Sequence, residues 1–163
     1  MLSIRVIGWS DHTEETIAEI VGAATWQEAV RQCYSKYAGE LRFVVALDES
    51  YASLERGFSP VGRWETLPTE TGGWRQNRSG QSKLFSIIGF DHRALIPVLD
   101  WWTAPNWTMA AQRSVTEYRY KEYRFVAAFE GKVPEASILG YFAPGNFGNM
   151  SAEVDPVKLR AVR

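Results

Sequence analysis

The feature that most restricts how this chain can fold is that it reads as two copies of one unit. Gly8 and Gly89 stand at one offset, and the same offset lays TWQEAVRQCYSKY, from Thr25, over NWTMAAQRSVTEY, from Asn106. Trp26 then meets Trp107, Ala29 meets Ala110, and Tyr37 meets Tyr118. One inserted residue brings ELRFVVA, from Glu40, over EYRFVAA, from Glu122. The order stays collinear beyond that point, with Ala52-Ser53 over Ala136-Ser137, Pro60 over Pro144, and GRWETL from Gly62 over GNFGNM from Gly145. A duplicated unit must build the same local structure twice, so every element assigned in one half is constrained by the other. The expected division is a first repeat over 1–68, a glycine-rich basic connection over 69–84, a second repeat over 85–150 and a tail over 151–163, the repeats packing as one globular domain.

Within each copy, the apolar runs Ile4 to Trp9 and Phe85 to Phe90 predict strands. Ile17, Ile20, Val21 and Ala24 share a helical face, as do Leu95, Val98, Leu99 and Trp102, so a first helix is expected after each strand, starting late or kinked at Pro97. A second helix has the stronger pattern: Trp26, Ala29, Val30, Cys33 and Tyr37 recur at helical spacing, and Trp107, Ala110, Ala111, Val115 and Tyr118 repeat the stripe. Thr25 and Asn106 stand at the N-cap positions, and Thr25 with Glu28 forms a capping box. Leu41 to Leu47 and Tyr123 to Phe129 predict mid-sheet strands, followed by a further strand at Leu54 to Ser59 or Ile138 to Ala143, with a short edge strand at GRWETL or GNFGNM. The expected fold is therefore α+β: two tandem β-α-α-β-β(-β) repeats related by a pseudo-dyad, an antiparallel sheet with helices on one face.

The only histidines sit in matching corners, Asp11-His12 and Asp91-His92. Two imidazoles and two carboxylates brought together by a dyad would suit a divalent metal or proton transfer. Against that, an Asp at a strand-to-helix corner accepts backbone N–H bonds as a cap, and the neighbouring His is then a surface residue copied with it. The corner is read as a duplicated cap, with no metal or cofactor assigned. Cys33, the sole cysteine, excludes an intramolecular disulfide and falls in a helical apolar stripe, which marks it as packed rather than nucleophilic. No G-x-S-x-G, H-E-x-x-H or P-loop pattern occurs.

A net charge of −1 gives no global basic field, so nucleic acid is not an expected partner. No apolar run approaches the length of a membrane span, and the expected location is cytoplasmic. The 7 Trp, 7 Tyr and 8 Phe exceed what a small core needs, and such side chains also serve binding surfaces and ligand cavities. The connection TETGGWRQNRSGQSKL carries Trp74, Arg75, Arg78 and Lys83 among glycines, and Trp and Arg are the residue types most enriched at interface hot spots. The duplicated strand–helix–strand–strand plan resembles that of the gyrase-inhibitor-like effector-binding domains, whose likeness implies a small aromatic or cationic ligand between the repeats. It rests on architecture and transfers no residue. Two functions are thus expected from different classes. The first is a non-catalytic protein-binding module of inhibitor, immunity or assembly type, with Trp74, Arg75 and Arg78 as contacts. The second is a small-molecule-binding domain with an aromatic cavity between the repeats. An enzyme or metal site at Asp11, His12, Asp91 and His92 ranks third.

Overall fold

The computed structural model describes residues 1–10, 13–37, 40–50, 60–63, 82–91, 96–117, 123–142 and 160–162. β1 (Leu2–Ser10) turns back as β2 (Glu15–Ala23), then come α1 (Trp26–Lys36), β3 (Leu41–Asp48) and the short β4 (Pro60–Arg63). β5 (Lys83–Asp91), β6 (Ile96–Ala104), α2 (Trp107–Glu117) and β7 (Tyr123–Glu130) follow the same order, and a 3-10 turn at Glu135–Ser137 leads into β8 (Ile138–Phe142). β9 (Arg160–Val162) ends the described chain.

The first helix expected in each half is a strand. Apolar residues at 17 and 21 satisfy a helical face, but they also satisfy alternation, and Thr16, Ile17, Ile20 and Val21 are β-branched, which favours the pleated surface. The alternation decides: Ile17 and Ala23 face α1 in one apolar cluster, with Val21 packed against it, while Ile20 on the other side is 58% exposed. The connection from β1 is also short, as hairpins require, and Glu14 at φ 55° makes part of the turn. In β6 the supposed helix kink, Pro97, sits one residue before the pairing with β9 begins at Val98, a position compatible with its missing N–H.

The strands form two sheets. One runs β2-β1-β3-β8 and the other β4-β7-β5-β6-β9, all neighbours antiparallel except β6 with β9. Each sheet carries one helix on its outer face. Ile4, Val6, Leu41, Val44 and Ala46 pack with Ala29, Val30 and Cys33 of α1, and Phe85, Ile87, Val98 and Phe125 pack with Met109, Ala110 and Ala111 of α2. The inner faces meet: Ile7, Phe43, Val45 and Leu47 of one sheet join Ile88, Phe90, Leu99 and Phe129 of the other in a third cluster. The layer order is therefore helix, sheet, sheet, helix, with each sheet covered by a helix on one face.

Registers correspond throughout. Leu2 lies opposite Ala23 and Lys83 opposite Ala104, and all pairs between are displaced alike. β1 slips against β3 between Ile7 and Trp9, as β5 slips against β7 between Ile88 and Gly89. At the first slip Phe43 has φ 52°, and the bulge lets both Leu41 and Val44 face α1 while Phe43 points inward. Gly8 faces this bulge: a Cβ there would lie 2.9 Å from Val44 Cγ2 and 3.1 Å from the Arg42 carbonyl. Gly8 thus marks a packing constraint.

Two outer strands pair with strands far away in the sequence. β8, late in the chain, pairs with β3, and β4, early in the chain, pairs with β7. Ala46 meets Gly140 and Leu47 meets Ile138 across a bulge, while Ala128 meets Gly62 and Phe129 meets Pro60 across another. Gly62 and Gly140 thus occupy matching pairing positions, and Gly145 lies outside the described residues. Lys83, read as part of the connection, belongs to β5 and pairs with Glu130 at 3.3 Å. The expected strand at Leu54 to Ser59 lies outside the described residues.

Candidate functional site

The helices begin where the caps predict. Thr25 Oγ1 accepts from the Glu28 N–H at 3.2 Å, Glu28 Oε2 accepts from the Ala24 N–H, and Asn106 Oδ1 accepts from the Met109 N–H at 2.9 Å. This placement sets one polar cluster beneath each helix. Under α1, Glu19 of β2 accepts from Lys36 Nζ and from the Tyr37 hydroxyl, each at 2.6 Å, and Cys33 Sγ lies 4.0 Å away. Burial pushes the Glu19 carboxyl up, but the bonds from Lys36 and Tyr37 outweigh it and hold the group below its ordinary value. Burial, reinforced by the Glu19 charge, pushes the Cys33 thiol up to about 12, so it remains protonated and unreactive at neutral pH.

The counterpart under α2 is Asp100 of β6, which is fully buried and accepts from Trp102 Nε1. Ser114 of α2 also bonds it, standing where α1 has Cys33. Nothing within the described residues bonds its second oxygen, Oδ1. Desolvation raises its pKa to about 6, against the bonds from Trp102, Ser114 and the Trp101 backbone. Sequence reading missed Glu19 and Asp100, because both fell inside supposed helices. The signal was present in the repeat: Glu19 and Asp100 occupy the same register position, opposite Val6 and Ile87 respectively.

A second matched pair closes the inner layer. Arg5 forms a nearly buried ion pair with Glu49, whereas the corresponding Ser86 donates to the Gly131 carbonyl and accepts from the Val133 N–H, both at 2.7 Å. Both fasten the end of a central strand to the segment leaving its neighbour. Trp101 Nε1 donates to the Val133 carbonyl, and Lys132 Nζ stands 4.9 Å over the Trp101 ring.

Of the residues singled out in the sequence, Asp11, His12, His92, Trp74, Arg75 and Arg78 lie outside the described residues. Asp91 ends β5, 9% exposed, opposite Ile96 and Tyr123. Both Asp-His corners join strand to strand, so the capping role expected of Asp11 and Asp91 has no helix to act on. Among the described residues no group of three or more His, Cys, Asp or Glu side chains is placed to hold a metal ion, and no helix is long and apolar enough to cross a membrane. The aromatic rings between the sheets pack on one another, Phe43 with Phe90 at 5.4 Å and Phe90 with Tyr141 at 6.2 Å. Comparison with protein families, with curated proteins and with solved structures finds no match to this chain.

Proposed function

We propose that the chain is a duplicated β-β-α-β unit whose copies are related by a pseudo-dyad and have exchanged their outer strands, and that it acts as a non-catalytic protein-binding module of inhibitor, immunity or assembly type. The observation that carries the binding reading is how the polar side chains are used. Among the described residues, Glu19 bonds Lys36 and Tyr37, Asp100 bonds Trp102, Arg5 pairs with Glu49 and Ser86 bonds Gly131, so each of these polar groups serves a contact within the fold. A small-molecule site needs a few polar groups aimed at one ligand. The packed rings between the sheets also weigh against an aromatic cavity there. Trp74, Arg75 and Arg78 supply residue types suited to anchoring a partner.

The test is affinity capture with the intact chain from its native cells, followed by calorimetric titration of the captured protein. A stoichiometric complex, weakened at least tenfold by the Trp74→Ala, Arg75→Ala double variant, is the expected result. If the chain captures no protein but takes up a small aromatic molecule stoichiometrically, read by tryptophan fluorescence, the cavity reading replaces it.

A further inference from the structure

The two sheets differ at one pair of corresponding edges. In the second, β6 has β5 on one side and β9 on the other, with Val98 beside Arg160, Leu99 beside Ala161 and Asp100 beside Val162 in parallel. In the first, β2 pairs with β1 along its nine residues, and among the described residues no strand lies on its other side. Open edges normally carry a device that blocks further pairing, such as Pro, Lys, a bulge or extreme shortness. Of the other outer strands, β8 and β4 have five and four residues and a register slip each, β4 begins at Pro60, and β9 has three residues. β2 is long, regular and free of Pro and Lys, carries charge only at Glu15 and Glu19, and holds Ile20 58% exposed.

Charge says what would fit. The turn and strand from Thr13 to Ala23 contain Glu14, Glu15 and Glu19 and no basic residue. Lys36 already pairs with Glu19, which leaves the acidic character at Glu14 and Glu15, both exposed. The strand on the corresponding edge of β6 is Arg160–Val162, and the sequence around it, VKLRAVR, is basic and apolar. Carrying the β9 register across to β2 sets positions 160, 161 and 162 beside Ile17, Ala18 and Glu19.

We infer that the outer edge of β2 is a docking site for an extended basic strand of a partner protein, added parallel to β2 in the register that β9 takes on β6. The inference rests on the protein-binding reading and names the kind of partner segment that reading requires. Main-chain bonds to the edge supply affinity, and Glu15 and Ile20 supply preference for basic and apolar side chains.

The probe is a synthetic peptide of sequence VKLRAVR, titrated into the intact chain while backbone amide shifts are followed by NMR. Saturable shifts confined to residues 15–23 are expected, weakened at least tenfold by Ile20→Lys or Glu15→Lys and absent for VELEAVE or VKLPAVR. Both substituted side chains are exposed, and circular dichroism checks that each variant keeps the fold. No shifts at millimolar peptide, or shifts on residues 96–104 through displacement of β9, would overturn the inference. So would a dimer by light scattering that Ile20→Lys converts to monomer, because the occupant would then be a second copy. If Ile20→Lys leaves capture of a native partner intact, the edge is wrong and the protein-binding reading survives; if nothing is captured by the parent chain, that reading fails by itself.

Discussion

Replacing Asp100 by Asn isolates the energetic cost of a buried charge. The Asp100 side chain is fully buried between β6 and α2, with one oxygen bonded to Trp102 Nε1 and the other unbonded within the described residues. Desolvation raises its pKa from the ordinary 3.8 to about 6. Between those values the folded chain holds a proton that the unfolded chain releases, so stability falls as pH rises through this window and is lowest above it. Each pH unit corresponds to about 1.4 kcal/mol, which puts the loss at roughly 3 kcal/mol by neutral pH. Asn keeps a carbonyl oxygen for the indole and cannot ionise. Urea unfolding of both proteins at several pH values between 4 and 7.5 should therefore show the variant gaining about 3 kcal/mol on the parent across that range, at constant m. Parallel stability curves for the two proteins would refute the reasoning, since they would mean that Asp100 titrates alike in both states.

Glu19 should behave in the opposite sense. Its folded pKa is held low, so its contribution is present above the ordinary carboxylate range and lost on acidification, and Glu19→Gln should destabilise at pH 7 with the effect fading in acid, read by the same urea titration. Gly140→Ala would set a Cβ 2.3 Å from the Trp26 ring, and the melting temperature should drop by the equivalent of about 1–3 kcal/mol, with part of the loss recovered in a Gly140→Ala, Trp26→Leu double variant. Cys33 should resist Ellman's reagent at pH 8 in the native protein and react promptly once urea unfolds it, because its pKa stands at about 12 only while buried.

The sequence carried the two caps, α1, α2 and the central strands, because each depends on local chemistry: a Thr or Asn before an apolar helical stripe, a mid-sheet run such as RFVVA. It misled at Ile17 to Ala24 and at Leu95 to Trp102, where spacings of three and four residues overlap with alternation and only the tertiary partner tells them apart. The β-branched content of Thr16, Ile17, Ile20 and Val21 and the short link from β1 were the overlooked arguments for a hairpin. Glu19 and Asp100 disappeared into that error, since on a supposed helix they read as solvent-facing. The pairing of β8 with β3 and of β4 with β7 has no local signature, because it joins segments far apart in the chain.

That exchange is the central structural claim, and amide-proton NOEs test it most directly. Cross-strand contacts between Val45 and Tyr141 and between Ala127 and Arg63 are predicted, reporting β8 on β3 and β4 on β7. Contacts from Val45 to Arg63 and from Ala127 to Tyr141 instead would place each outer strand on its own half and contradict the exchanged architecture.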